Sequence, residues 1–261
     1  MRNLPDMAQA LLPIVADAGA AIMAVYDGRF AVQHKADDSP LTLADLESQR
    51  VINGGLRRLW PDIPILSEEA TQAQWAERRT WRELWVIDPL DGTREFVKRN
   101  GEFTINIALV VEHEPVLGVV AAPAQGLLYW GAAGSGAFRQ RGAERTKIHV
   151  APPAAPIRVV GSRSHMSPQT ATYLSTLGPH AMTGVGSALK FCLLAEGNAE
   201  LYPRFGPTSE WDTAAGQAVL EAAGGQVTLL DGHRLRYNCR ESLLNSDFIA
   251  FSHESVLPRP A

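Results

Sequence analysis

Residues 86–96 read "VIDPLDGTREF": an apolar run ends at Asp88, and Asp91 follows across Pro89 and Leu90. Together with the preceding "ELW", the run reads as an apolar strand. Two carboxylates at the end of such a strand need a reason, because a desolvated anion is costly unless a positive partner sits beside it. Asp91-Gly92 alone is ordinary turn chemistry, but a second aspartate behind it on the strand end is not. Gly92 lets a ligand approach the backbone, and a helix beginning at Thr93 would point free N–H groups at a phosphate. The Thr93 hydroxyl can orient a water. The stretch therefore predicts a strand, a ligand-binding turn and a helix start, with the missing positive partner held between the carboxylates.

Three more acidic groups fall at element boundaries: Asp45 in "SPLTLAD", Glu68 and Glu69 in "LSEEA", and Asp212 in "SEWDTAAG". Converging, they would form a cage for Mg²⁺, which prefers hard oxygen ligands and suits a site that also binds phosphate. No cluster of His and Cys competes for a softer metal. Taken singly, each has a simpler reading. Thr42 with Asp45, and Ser209 with Asp212, have the spacing of capping boxes, so both aspartates read as helix starts. "SEE" alone also reads as an exposed helix start.

Outward from the central strand, a helix runs to Tyr26 with Ile14, Val15, Ala18, Ile22 and Met23 on one stripe, and Pro13 starting or kinking it. A second helix is expected from about Leu43 to Leu59, weakened by "NGG" at 53–55. Short strands follow in "IPILSEEA" and "GEFTINIALVV". Residues 115–138 carry no charge, but their glycines and Pro123 divide them into buried strands rather than a membrane span. "APPAAP" at 151–156 marks the boundary between an N-terminal part (1–150), with most of the acidic groups, and a C-terminal part (151–261). The latter reads as strand "IRVVGSR", helix "SPQTATYLSTLG", helix "GSALKFCLLAEGNA", strand "AELYPRF" and helix "WDTAAGQAVLEAAGG", with Gly224 as its C-cap.

The 261 residues carry 24 Lys and Arg against 28 Asp and Glu, a formal charge of -4, which argues against general nucleic-acid binding but leaves room for a small anionic ligand. Cys192 and Cys239 have no disulfide or zinc spacing and read as reduced thiols. The N-terminus lacks the continuous apolar segment of a secretory signal. A cytoplasmic protein without an integral membrane segment is expected, with peripheral membrane attachment and the choice of monomer or homodimer left open.

In order along the chain, "LSEEA", "WVIDPLDGTREF" and "WDTAAGQAVLEAAGG" resemble the signatures of the inositol monophosphatase superfamily. "KADDSPLTLAD", "DPLDGTREFVKRNGEFTINIALV", "SRSH" and "GSALKFCLLAEGNAELYPRFGPT" are similar to its CysQ-type 3'(2'),5'-bisphosphate nucleotidases. The resemblance implies an α+β fold, a layered α/β/α/β/α sandwich, and Mg²⁺-dependent removal of the 3'-phosphate of adenosine 3',5'-bisphosphate, or of the related phosphosulfate. It implies two or three Mg²⁺ ions: one on Glu68, Asp88 and the Leu90 carbonyl, a second on Asp88, Asp91 and Asp212, and a weaker third reached from Glu68 through waters. Asp45 and Thr93 would activate the attacking water, with Glu68 and Asp91 also catalytic. Gly92 and Thr93 would meet the reacting phosphate, and His165, Ser187, Lys190 and Arg204 the 5'-phosphate and nucleotide. Read from the residues alone, Lys190 and Arg204 are a solvated face and His165 a loop histidine. Two other readings share the scaffold: an inositol-phosphate or sugar-phosphate phosphatase, and a non-catalytic phosphonucleotide sensor.

Overall fold

In the computed structural model, which describes residues 2–28, 32–34, 40–69, 76–162 and 167–258, the chain begins with helix α1 (Leu4–Tyr26). Asn3 caps it by accepting the Asp6 N–H at 3.4 Å. Pro13 therefore lies inside the helix rather than at its start. Among the described residues α1 is the one helix long and apolar enough to cross a membrane. Its stripe of Leu11, Ile14, Val15, Ala18 and Ile22 is instead packed in a core. Helix α2 (Leu43–Leu59) has the expected bounds. A Cβ on Gly55 would fall 2.7 Å from Ile14, so the glycine that weakens the helix on propensity is the one that lets α1 pack against it.

The acidic turn belongs to a seven-stranded sheet of order β3-β4-β5-β6-β7-β8-β9. Its strands are β3 (Ile65–Ser67), β4 (Glu83–Asp91), β5 (Thr104–Val111), β6 (Glu114–Ala122), β7 (Leu127–Ala132), β8 (Gly136–Arg141) and β9 (Glu144–Ile148), with β1 (Val32–His34) and β2 (Pro40–Thr42) forming a separate pair. β3 runs parallel to β4 and each later neighbour is antiparallel. The uncharged stretch thus supplies sheet interior. Leu84 and Val86 of β4 face one core while Trp85 and Ile87 face the other, as the two-residue period of a strand covered on both sides requires.

A second, five-stranded sheet has the order β11-β10-β12-β14-β13, built from β10 (Ile157–Gly161), β11 (His180–Gly184), β12 (Leu201–Arg204), β13 (Gln226–Leu229) and β14 (Phe248–Phe251). Helices α3 (Thr93–Val97), α4 (Pro168–Ser175), α5 (Leu189–Ala195) and α6 (Glu210–Ala222) are the remaining α-helices among the described residues. One core lies between the first sheet and α1 and α2. A second joins both sheets through α5 and α6. A third packs α4 on the far face of the five-stranded sheet. These are the five layers of an α/β/α/β/α sandwich.

Two second-half helices differ from expectation. α5 begins at Leu189 rather than near 186, because Ser187 takes a left-handed φ of 51°. α6 has Ala223 as its C-cap, and Gly224, at φ 101°, stands one position beyond.

α6 carries Asp212, and its approach to the sheet depends on Gly118 of β6. A Cβ there would lie 2.3 Å from the Ala215 carbonyl oxygen and 2.8 Å from the Ala218 Cβ. Gly118→Ala should destabilise the protein by about 3 kcal/mol through overpacking, lowering Tm by roughly 5–10 °C. A melting curve superimposable on the parent's would show that the helix has slack.

Candidate metal and phosphate site

Asp88 and Asp91 are three residues apart, so a regular strand would send them to opposite faces. The ladder between β4 and β5 prevents this. Asp88 pairs with Asn106 and Asp91 with Thr104, with a register shift between them. Three steps on β4 match two on β5, a bulge that returns both carboxylates to one side. Pro89 occupies the bulge, a place where a missing N–H does no harm. Ser48 of α2 donates to its carbonyl at 2.7 Å.

Parallel pairing of β3 with β4 sets Ser67 against Ile87, which brings Glu68 beside Asp88. Asp212 enters from the first turn of α6. One carboxylate oxygen from each of Asp88, Asp91 and Asp212 lies within 4.8 Å of the others. Burial, reinforced by Glu68, Asp91 and Asp212, pushes Asp88 well above the usual carboxylate range. Burial and then Asp91 push Asp212 up to about 8. Burial also raises Asp91, opposed by Lys190 and by donors from Asn106, Ala188 and Thr104. Those donors converge on Asp91 Oδ2: the Ala188 N–H at 2.6 Å, Asn106 Nδ2 at 3.2 Å and the Thr104 hydroxyl at 3.3 Å.

Both capping readings hold, and they coexist with the site. Asp45 Oδ2 accepts the Thr42 N–H and hydroxyl, each at 2.7 Å, while its Oδ1 accepts the Thr93 hydroxyl at 3.4 Å. The Leu90 carbonyl lies at the same distance from that hydroxyl. Asp212 Oδ2 accepts the Ser209 N–H at 2.8 Å. Each aspartate fixes its own helix start and so fixes its own position. Glu68 and Glu69 lie in the turn after β3, and the residues that would continue a helix from "SEE" lie outside the described residues. Gly92, at φ 88°, is the N-cap of α3.

A cleft beside the trio is lined by Asp91, Gly92, Ser187, Lys190, Arg204 and Asp212, so most of the residues expected to meet substrate border one cleft. His165 lies outside the described residues. Lys190 is not a solvated face. It is 7% exposed, its Nζ donates to the Ser187 carbonyl at 2.7 Å, and burial lowers it to about 8 against the pull of Asp91. Arg204 donates to the Pro207 carbonyl at 2.6 Å, while its Nε is buried without a partner. Arg94, Glu95, Ser162, Tyr202 and Thr208 also line the cleft. None of the five was expected in the site, although each lies in a stretch that carried the family resemblance: Arg94 and Glu95 just after Gly92-Thr93, Ser162 at the head of "SRSH", and Tyr202 and Thr208 in "AELYPRFGPT".

A match to the inositol monophosphatase family runs over residues 3–257. This chain belongs to the inositol monophosphatase family. Among curated relatives, the 3'(2'),5'-bisphosphate nucleotidase CysQ of Salmonella typhimurium is 50% identical over 244 residues, covering 93% of this chain and 98% of that protein. Among solved structures, CysQ from Bacteroides thetaiotaomicron has a TM-score of 0.84 at 40% identity, covering 95% of this chain and 97% of that one. An inositol monophosphatase from Anabaena has a TM-score of 0.75 at 27% identity, covering 98% and 94%. The inositol monophosphatase family is metal-dependent, and the residues here fit a metal. Asp88 accepts the Leu90 N–H at 3.0 Å, but burial and then its carboxylate neighbours Glu68, Asp91 and Asp212 disfavour its charge, and the cation opposing them in this cluster, Lys190, acts on Asp91; the centre has room for more positive charge. An all-oxygen donor set of this kind suits a hard divalent cation.

Proposed function

We propose that the chain is a cytoplasmic, Mg²⁺-dependent phosphatase that removes the 3'-phosphate of adenosine 3',5'-bisphosphate, giving AMP and phosphate, in sulfur assimilation. We extend this to the 3'-phosphate of the related phosphosulfate. The observation that carries the reading is one cleft with a carboxylate trio beside Lys190 and Arg204. A bisphosphate needs both: a site for the phosphate that reacts and cations for the one that stays. The names of the half-identical relatives support it.

Glu68, Asp88 and the Leu90 carbonyl would hold one Mg²⁺, and Asp88, Asp91 and Asp212 another, with Glu68 reaching a third through waters. Bound Mg²⁺ supplies Lewis-acid stabilisation of charge on the phosphoryl oxygens. The Thr93 hydroxyl, donating to Asp45 Oδ1, keeps a lone pair free to accept from a water, and Asp45 takes that water's proton. The water oxygen attacks phosphorus in line as the bond to the ribose 3'-oxygen breaks. The leaving oxygen is then protonated from solvent. The backbone N–H groups at Gly92 and Thr93 face the phosphoryl oxygens as they gain charge.

Arg204→Ala tests the substrate assignment. Losing a guanidinium that meets the 5'-phosphate should raise KM for adenosine 3',5'-bisphosphate by about 10- to 100-fold. KM for adenosine 3'-monophosphate should hardly move. Equal rises for both would refute the assignment.

A further inference from the structure

The turn between β11 and α5, residues 185–188, carries Ser187 into the cleft and sets the start of the helix bearing Lys190. Local bonds shape this turn only in part: the Leu189 N–H donates to Ser187 Oγ at 3.4 Å, and Lys190 Nζ to the Val185 and Ser187 carbonyls at 3.4 and 2.7 Å. Ser187 is a non-glycine residue at φ 51°, a conformation that L side chains adopt only when their surroundings impose it. Beyond the bond from the Val185 N–H to the Gly161 carbonyl, those surroundings include residues 92–102, distant in sequence. Glu102 Oε2 accepts the Gly186 N–H at 2.9 Å. A Cβ on Gly186 would fall 2.7 Å from Glu95 Cγ and 2.9 Å from the Glu102 carbonyl oxygen, so the backbone is seated directly on this segment. Two residues on, the Ala188 N–H donates to Asp91 at 2.6 Å. The turn is thus pinned at two successive points, one on a carboxylate of the metal trio and one on a carboxylate outside it.

We infer that Glu102 is a positioning residue for substrate recognition: its carboxylate holds Gly186, and so sets where Ser187 and Lys190 meet the phosphate that is not removed. The inference rests on the substrate reading above. Asp91 ties its end of the turn to the metal centre. Among the described residues the Glu102 carboxylate accepts from Gly186 rather than from a residue of the trio, and its own N–H is anchored by Asn100 at 2.9 Å. Its loss should therefore alter recognition while leaving metal binding and the chemical step intact.

The test compares Glu102→Ala, Glu102→Gln, Gly186→Ala and Arg204→Ala in steady-state kinetics on adenosine 3',5'-bisphosphate and adenosine 3'-monophosphate. Mn²⁺ binding to each protein is followed by electron paramagnetic resonance. Glu102→Ala should raise KM for the bisphosphate about tenfold, the worth of a charge-assisted hydrogen bond, with kcat and Mn²⁺ affinity close to the parent's. Glu102→Gln, which keeps an acceptor oxygen, should restore most of the lost affinity, and Gly186→Ala should share the defect of Glu102→Ala. If Arg204→Ala separates the two substrates but Glu102→Ala leaves KM unchanged, the role of Glu102 is refuted and the substrate reading stands. A Glu102→Ala protein that loses kcat and Mn²⁺ affinity together, without rescue by Gln, also refutes it, since the residue would then be a general structural support. If Arg204→Ala fails to separate the substrates, the substrate reading fails and this inference with it.

Discussion

An Asp91→Asn protein should fold as the parent does and lose turnover by about a thousandfold or more. Asp91 has two duties, which this substitution separates. Its Oδ2 gathers donors from Ala188, Asn106 and Thr104, and asparagine keeps one carbonyl oxygen to receive them. The structural duty largely survives, so Tm should stay within about 5 °C of the parent's, a loss of roughly 1–2 kcal/mol. The negative charge needed beside Asp88 and Asp212 does not survive. Near-normal turnover in Asp91→Asn would contradict the assignment of this carboxylate to the metal centre.

Without divalent metal, the protein should lose stability as pH rises from about 5 to 8, and Mg²⁺ should reverse that loss. Asp88, Asp91 and Asp212 are all raised in the fold, Asp212 up to about 8, whereas an aspartate in the unfolded chain titrates near 3.9. Between these limits the folded protein binds more protons than the unfolded one, so stability falls with rising pH. Below the unfolded value both states are protonated and this loss is absent. Bound Mg²⁺ needs the ionised carboxylates and acts oppositely, adding about 2.7 kcal/mol for each site at a hundredfold excess over Kd. That corresponds to a Tm increase of roughly 5–10 °C per site at pH 8. Thermal melts in chelator and in Mg²⁺ across this range check it. A chelated protein whose Tm climbs towards pH 8 would show that something other than a metal neutralises the trio.

What the sequence made legible, and what it hid, divides by the range of the interaction. α2 begins at Leu43 and α6 at Glu210 because Thr42 and Ser209 cap them, and a four-residue spacing suffices to see that. The sequence presented Asp45 and Asp212 as either caps or site residues. The structure shows both at once, since a carboxylate has two oxygens. The bulge that brings Asp88 and Asp91 to one face was not legible, because it is a property of the pairing with β5; Pro89 was its only mark. Gly55 and Gly118 read as weak points for the same reason, their partners Ile14 and Ala215 being distant in sequence. Likewise, the late start of α5 goes with the left-handed Ser187 beside a Gly186 seated on Glu102, and buried Lys190 directs its ammonium to the Val185 and Ser187 carbonyls, contacts that spacing does not show. The family resemblance supplied what spacing could not: which of several acidic clusters converge.

The most direct test of the account is phosphate release from adenosine 3',5'-bisphosphate and from inositol 1-phosphate, side by side, with Mg²⁺ and with chelator. Strong Mg²⁺-dependent turnover of the nucleotide, little of the inositol ester and none of either in chelator is the predicted result. Preference for the inositol ester would leave the metal centre standing and discard the nucleotide assignment. Mg²⁺-dependent binding of the bisphosphate without turnover of either compound would contradict the catalytic claim itself.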